Sequence, residues 1–483
     1  MQRIKLDVIL RYIQWGLWAA LFFLLPITSI PLVTRLIGGT MVAPPSMLVL
    51  LLLIIVWFVP YLLRRGALPA LSTPLLGFFA VAVIACARAV FLPVPPFRDA
   101  TVVRNIIEGI VTLGIGIVFY LLTAIWAADK KRFTAILRWI NWSGILIIIW
   151  SFIQAVTWQL NTSWPDWIRA IHELFSTGTL FRARVVGFTF EPSWLAHQLN
   201  VLYLPFWLAS TVTRKSAHSW NFRGISLENI LLVCGAALLF LSKSRLGLLA
   251  FLLALAYLVV KFSLNITRWL QNKVDGQWRK ILVAAAFYFL ILLIGVSILF
   301  GTGYWMSKTD FRMRALFDLE TLRTKSFIEY AEPLSFSARI IYWQTGWDIF
   351  GQYPFLGVGL GNAGFYFTEK LDSFGWGLIE IRDYMYRFPS IPNIKSMWVR
   401  ILAETGIVGF AFWIVWIFLM LQTARLLYRQ KNALLRTCGL AGTLALIAFL
   451  LEGFSIDSFA MPYIWITLGL INAGHVMRRE SEE

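Results

Sequence analysis

The chain has 483 residues, of which 59% are hydrophobic and only 14% are charged, and its net charge is +18. Soluble proteins are less apolar and more highly charged, so the composition excludes an ordinary soluble fold and predicts one polytopic membrane domain. In a membrane protein the basic excess is explained by cytoplasmic loops, so we expect no nucleic-acid partner.

Apolar runs along the chain predict an all-α, polytopic integral membrane fold. A membrane-spanning helix needs about 20 apolar residues. On that criterion we predict about 12 transmembrane helices, at 14–34, 45–63, 73–92, 106–127, 137–158, 193–213, 226–242, 245–262, 280–300, 396–422, 434–453 and 457–474. The pair on either side of 242–245 is also compatible with one long broken helix.

Basic residues are concentrated in every second connector. They include Arg64 and Arg65, the "DKKR" stretch at 129–132, and four between Arg425 and Arg436. Since basic loops stay on the cytoplasmic side, both termini are predicted to be cytoplasmic. The predicted organisation is then nine membrane helices in 1–300, a large extracytoplasmic loop at 301–395, and three helices with a cytoplasmic tail in 396–483.

The predicted extracytoplasmic loop is long, aromatic and electrically balanced, with ten Lys or Arg and ten Asp or Glu. Its stretch "SFSARIIYWQTGWDIF" predicts a helix. The later "GLGNAG" (359–364) matches a dinucleotide fingerprint, but that fingerprint requires a preceding strand. Here a helix and a proline precede it, so we expect the glycines to allow sharp turns beside the membrane.

Three arginines lie at the predicted outer edge of hydrophobic sequence: Arg184 before the sixth span, Arg245 in a polar break, and Arg339 in the loop. Arginine near a bilayer is retained for pairing or function, although Arg245 alone could simply extend to the interface. Guanidinium groups bind phosphate oxygens bidentately, and fixed cations stabilise a diphosphate leaving group. The arrangement therefore indicates binding of a lipid-linked diphosphate.

Four stretches occur in a characteristic order. They are "RVVGFTFEPSWLA" (184–196), "SKSRLGLLA" (242–250), "ARIIYWQTGWDIFGQYPFLGVGLGN" (338–362) and "KSMWVRILAETGIVGF" (395–410). In this order they resemble the O-antigen polymerase and O-antigen ligase superfamily of bacterial membrane glycosyltransferases. The resemblance covers residues 180–410 by motif, and the remainder only by hydropathy.

The resemblance implies a GT-C-like membrane fold in the bacterial cytoplasmic (inner) membrane. It implies an undecaprenyl-diphosphate-linked glycan as donor, a glycan acceptor, and neither metal nor other cofactor. A chain-length regulator or a flippase would be a further partner. By position, Arg184, Arg245 and Arg339 match the family's diphosphate-binding arginines. The family's His-Asn pair before Ala-Glu-x-Gly is replaced here by Lys395 and Ser396.

The catalytic candidates are Lys395 and Glu191. Lys395 could supply a cation to the phosphates, but it is a poor base unless its pKa is strongly lowered. Glu191 is a candidate general base; it could equally form an ion pair or begin a helix before Pro192. For Glu404, inside a span, we favour a structural hydrogen bond over chemistry, and for His197 a buried structural role.

These observations favour a glycosyltransferase that joins lipid-diphosphate-linked oligosaccharides on the outer face of the membrane. We prefer polymerisation of O-antigen or exopolysaccharide repeat units, because the histidine usual in ligases is absent. The alternative within the family is an O-antigen ligase that transfers glycan to lipid A-core or another acceptor. An alternative of another class is a flippase or transporter of lipid-linked oligosaccharides, which would place ionisable residues throughout the spans.

Overall fold

The computed structural model describes residues 2–37, 44–160, 163–309, 314–315, 318–324, 327–334, 336–388 and 391–482. Parts of the connector at 35–44 and of the predicted loop at 301–395 lie outside the described residues. Most of the described chain is helical and its described sheet is a single two-stranded hairpin, which agrees with the predicted all-α class.

The described residues of the first half of the chain form eleven α-helices. Their bounds are α1 Gln2–Leu24, α2 Pro31–Ile37, α3 Ser46–Leu53, α4 Val59–Leu63, α5 Thr73–Ala89, α6 Val102–Trp126, α7 Lys130–Leu160, α8 Asp166–Phe175, α9 Pro192–Gln198, α10 Leu204–Thr213 and α11 Leu227–Ser242. Single π-helical segments, Ile54–Phe58 and Leu199–Tyr203, join α3 to α4 and α9 to α10, and a 3-10 turn at Ala70–Ser72 precedes α5. Before α11, the short strands β1 (Asn221–Phe222) and β2 (Ile225–Ser226) pair as an antiparallel hairpin.

The second half of the described chain continues with helices of very different length. Their bounds are α12 Arg245–Gln271, α13 Gln277–Thr309, α14 Leu319–Thr324, α15 Phe327–Ala331, α16 Ser337–Gln352, α17 Phe367–Lys370, α18 Ile379–Tyr386, α19 Met397–Tyr428, α20 Ala433–Glu452 and α21 Pro462–Glu482. Two 3-10 turns, Ala363–Tyr366 and Ser373–Gly377, flank α17. Helix α16 confirms the helix predicted in the loop.

Among the described residues, eight helical segments are long and apolar enough to cross a membrane. They are Ser46–Leu63, Ala70–Ala89, Val102–Trp126, Lys130–Leu160, Arg245–Gln271, Gln277–Lys308, Met397–Tyr428 and Ala433–Glu452. The other four predicted spans coincide with α1, α9–α10, α11 and α21, so the total of twelve stays a prediction. The polar break at 242–245 separates two helices, α11 and α12, because Lys243 ends α11 in a left-handed conformation (φ 49°).

The segment that precedes the 3-10 turn Ala363–Tyr366 packs into a break in α19. We call residues 353–362 the glycine loop. Its Val358 and Gly359 amides donate to the carbonyls of Ala403 and Glu404, at 3.0 and 2.8 Å, and Ile407 donates to Pro354 at 2.8 Å. The bonds replace those that α19 loses at Gly406, where φ is 65° and ψ is −171°. A sheet-like backbone pairing thus stabilises an interrupted helix.

The glycines of this loop are required by its conformation. Gly357, Gly359 and Gly361 all have positive φ, at 63°, 84° and 81°. A Cβ on Gly359 would lie 2.8 Å from the Ala89 Cβ, and one on Gly361 would lie 2.7 Å from the Asn105 carbonyl oxygen. The glycines therefore allow turns and close backbone approach, which is a packing role and not a nucleotide-binding one.

Candidate functional site

One end of the bundle, which we call the loop end, comprises the start of α9, the end of α11, the start of α12 and the end of α20, together with the start of α19 and residues 353–395 that contact it. Two predicted arginines lie there. The Arg184 guanidinium donates through Nε to the Ser242 carbonyl at 3.2 Å, which ties the segment before α9 to the end of α11. Arg245, the first residue of α12, donates to the Leu334 carbonyl. Both arginines are half-buried.

The third arginine, Arg339, lies in the first turn of α16, five residues after Leu334. Its guanidinium donates to the Ser455 hydroxyl and lies 3.5 Å from the Ser455 carbonyl oxygen. Ser455 belongs to residues 453–457, the turn that follows α20, which we call the 453–457 turn. Because Arg245 contacts the segment just before α16, the structure brings Arg245 and Arg339 to one place.

Lys395 is anchored to the same turn by its backbone. Its amide donates to Asp457 Oδ2 at 3.1 Å, while the Asn393 amide group donates to Asp457 Oδ1 at 3.3 Å. Lys395 itself is left-handed, with φ 55°, just before α19 begins. Its ammonium group donates to the Tyr384 phenol oxygen at 2.9 Å. The buried carboxylate of Asp457 thus anchors the backbone of Lys395, the residue that replaces the family's histidine.

The ammonium group of Lys395 is protonated at neutral pH. Burial alone would lower its pKa, but Tyr384, Asp457 and Glu380 outweigh burial, and the pKa lies above its ordinary value. A base must be deprotonated to accept a proton, so Lys395 does not fit that role. The expectation that Lys395 acts as a charge agrees with its surroundings, although its part in catalysis stays a proposal.

Glu191 is placed differently. It precedes Pro192, the first residue of α9, as a helix-start residue does, and its carboxylate accepts a hydrogen bond from the Ser193 hydroxyl. The contacts described above, which tie the arginines and Lys395 together, do not reach Glu191. Its role as a general base therefore stays a prediction, and the geometry adds no support to it.

Two other residues have the structural roles expected of them. Glu404 is buried and pairs with Arg400 at 2.9 Å, the structural bond that we favoured. His197 is buried and its Nδ1 lies 2.6 Å from Glu452 Oε2, while Asn200 donates to Glu452 Oε1 at 2.6 Å and to the Gly247 carbonyl at 2.7 Å. Glu452 therefore connects α9 and its π-helical extension to the end of α20.

Sequence reasoning missed the residues that organise the site. Asp457, Ser455 and Tyr384 hold Lys395 and Arg339, and Arg400 donates to the Asp457 carbonyl at 2.6 Å. The signal for Asp457 was a carboxylate between the last two apolar runs, where it needs a partner. The signal for Tyr384 was its place among the aromatic residues of the loop, which could stack on sugars or pack the loop, but its contact with Lys395 is set by the fold.

Within the described residues, no group of three His, Cys, Asp or Glu side chains is arranged to hold a metal ion. The three cysteines are free thiols, and Cys86 and Cys438 are buried. The cationic groups of the site are Arg339 and Lys395, which contact the 453–457 turn, Arg245, which binds Leu334 just before α16, and Arg184, which binds the end of α11. Such an arrangement can bind an anionic group such as a phosphate and stabilise charge that develops on it.

Fold and site together define a polytopic α-helical membrane protein with a cationic site at one end of its helices. Residues 230–414 match the family model described as O-antigen ligase. The match includes Arg245, Arg339 and Lys395, and it confirms the resemblance to the O-antigen polymerase and ligase superfamily. No curated protein matches the chain. The apolar helices and the family match indicate a bacterial inner-membrane protein of polysaccharide biosynthesis.

Proposed function

We propose that this protein joins undecaprenyl-diphosphate-linked oligosaccharides on the outer face of the cytoplasmic membrane, and that it polymerises O-antigen or exopolysaccharide repeat units. The observation that carries the proposal is that Arg339 binds the 453–457 turn, that the backbone of Lys395 is anchored to the same turn, and that Arg245 binds Leu334, five residues before Arg339. A hydroxyl of the acceptor glycan attacks the anomeric carbon of the donor. The bond from that carbon to the diphosphate breaks, and its electron pair leaves with the diphosphate.

The cations stabilise the leaving diphosphate. Arg184, Arg245 and Arg339 bind its oxygens, and the charge of Lys395 favours the negative charge that develops as the bond breaks. The acceptor hydroxyl loses a proton, for which Glu191 is our candidate base. No metal takes part in this proposal, so activity abolished by a chelator would contradict that element of it.

A purified protein in lipid nanodiscs tests the reaction directly. Supplied with lipid-linked repeat units alone, a polymerase produces a ladder of lengthening lipid-linked glycans. The second candidate is a ligase, favoured by the description of the matching family. A ligase would leave the units unextended and transfer them to an added acceptor such as lipid A-core. The absence of any product from lipid-linked glycans would favour the flippase alternative.

Arg339 tests the diphosphate site. Lysine keeps the charge but loses the planar fork, so Arg339→Lys should lower kcat/KM about 10- to 100-fold. The matched control is Arg104→Lys, since Arg104 is exposed and pairs with Glu108 on the same helix. Wild-type turnover in Arg339→Ala would contradict the assignment.

Orientation is tested by accessibility. The proposal places the loop end outside the cytoplasm and both termini inside it. In intact cells, a cysteine replacing the exposed Asp372 should react with an impermeant thiol reagent, whereas one replacing Lys131 in the basic connector should not. Labelling at 131 with none at 372 would reverse the orientation.

A further inference from the structure

The hydrogen bond between Lys395 and Tyr384 has a direction that matters for chemistry. An ammonium group has only donors, so Nζ of Lys395 donates to the phenol oxygen at 2.9 Å. That bond occupies an acceptor lone pair of the phenol and leaves its own O–H free to donate elsewhere. The ammonium group of Lys395 thus contacts the oxygen of the Tyr384 phenol and polarises its O–H group.

Tyr384 is held by contacts on several sides. Its ring lies edge-on to Phe388, with centroids 4.9 Å apart, and to Tyr342 at 6.4 Å. Arg98 donates to the Tyr384 carbonyl at 3.1 Å and also to that of Phe388, which fixes the end of α18. The side chain remains partly exposed. These contacts restrict the direction of the phenol, and the residue is not fully buried.

The position of Tyr384 connects it to the arginines. Tyr342, whose ring it contacts, lies one helical turn after Arg339 on α16. Lys395 is anchored to Asp457, two residues after the Ser455 that binds Arg339. Tyr384 therefore borders the cationic site from both the α16 side and the side of the 453–457 turn.

The charge around Lys395 explains why a neutral donor would be useful. Its ammonium group is close enough to Asp457 and Glu380 for both to favour its protonated form. Part of its positive charge is thus already compensated before any anion binds. When the phenol O–H donates to a substrate oxygen, Lys395 polarises that hydrogen bond. The anionic substrate then need not lie next to the Asp457 carboxylate.

We propose that Tyr384 is a substrate-binding residue of the cationic site, which donates its O–H to the leaving diphosphate, and that Lys395 acts through it. The inference rests on the proposed function and names a donor for it. As the bond to the anomeric carbon breaks, its electron pair passes to the diphosphate oxygen. Tyr384 keeps its proton and shares it in a hydrogen bond with that oxygen, so no proton is transferred.

A double-mutant cycle in nanodiscs tests the inference. Tyr384→Phe and Lys395→Gln should each lower kcat/KM about 10- to 100-fold, chiefly through kcat, and the double variant should be no worse than the more impaired single one. Lys395→Arg keeps a donor and should retain substantial activity. The control Tyr386→Phe, on the same helix with its side chain 70% exposed, should match the wild type.

Two results in this cycle would overturn the inference. Wild-type turnover in Tyr384→Phe would show that the phenol O–H contributes nothing. Losses that multiply in the double variant would show that Lys395 acts independently of Tyr384. Each variant is first compared with the wild type by thermal unfolding, because a loss of fold would also lower activity. If Lys395→Gln unfolds, Tyr384→Phe still tests the inference, because it preserves the ring packing.

A binding measurement separates this inference from the proposed function. Undecaprenyl diphosphate is added to nanodiscs that contain the wild type, Tyr384→Phe or Tyr386→Phe. Weaker binding by Tyr384→Phe alone supports the donor even if the wild type transfers no glycan, in which case only the proposed reaction is wrong. Equal binding by all three, with no transfer by the wild type, would overturn both.

Discussion

Gly359 in the glycine loop and Gly301 in α13 lie in apolar stretches of similar composition, but their surroundings are opposite. A Cβ on Gly359 would lie 2.8 Å from the Ala89 Cβ, whereas one on Gly301 would meet nothing within 4 Å. In the apolar 18-residue stretch of α13 none of the residues is buried, whereas in that of α20 78% of the residues are buried. In a bilayer, close packing and polar contacts hold helices together, so hydropathy alone does not distinguish these regions.

The largest expected effect comes from valine at the two glycines. Gly359→Val combines a β-branched residue at φ 84° with a steric clash, so it should cost about 3 kcal/mol or more and leave little folded protein. Gly301→Val should fold normally, as measured by size-exclusion chromatography in detergent and by thermal unfolding. An unchanged melting temperature in Gly359→Val would remove the distinction between the two regions.

The next effect concerns the ion pair beside the glycine loop. Glu404→Ala leaves Arg400 buried without its carboxylate and should destabilise the protein by about 3–5 kcal/mol. The double variant Arg400→Met/Glu404→Leu should recover most of that loss. On α13 the matched change is Lys308→Ala, where an exposed lysine lies over the Tyr304 ring, and unfolding measurements should show almost no effect. Equal losses in both regions would contradict our description.

A smaller effect is expected at a single hydrogen bond to the loop. Asn105 on α6 donates to the Gly361 carbonyl at 3.1 Å, and Asn105→Ala should cost about 1 kcal/mol. Thr302→Ala on α13 removes a bond within one helix turn, to the Ile298 carbonyl, and should be close to neutral. Chemical unfolding measures the free energy of unfolding of both variants. If Thr302→Ala proves the more damaging change, α13 must pack in a way the chain alone does not show.

The smallest effect is expected for an exposed aromatic on α13. The Phe289 side chain is 66% exposed, so Phe289→Ala should change stability by no more than about 0.5 kcal/mol. Thermal unfolding in nanodiscs measures this. A loss comparable to that of a buried phenylalanine such as Phe365, which is 1% exposed, would mean that another protein covers α13 in the membrane.

The sequence predicts those features that depend on local composition. Each predicted span overlaps a helix because apolar runs and helix formation follow the same residues, although the span predicted at 14–34 extends past the end of α1 at Leu24. The break at 242–245 is visible as polar residues between apolar ones. For Glu404 the sequence predicts a structural hydrogen bond without identifying its partner, since a carboxylate within a span needs a hydrogen bond.

The remaining features depend on contacts between distant residues. The break at Gly406 lies within the continuous apolar run of α19, and it forms where residues 354–359 supply the missing backbone bonds. Asp457 is 62 residues from Lys395 and pairs with its backbone. For Glu191 the structure adds only a local contact, since its carboxylate accepts a hydrogen bond from Ser193 beside it, and its role as a base stays a prediction.

The carboxylate of Glu452 fixes the vertical alignment of three helical segments. It bonds to His197 of α9 and to Asn200, and Asn200 bonds in turn to Gly247 of α12. One residue of helix rises about 1.5 Å, so a slide of that size along any of these axes would break a bond that is only 2.6 or 2.7 Å long. Arg245, two residues before Gly247 at the start of α12, is therefore held in fixed register with Glu452 and with Ser455, which follows Glu452 by three residues.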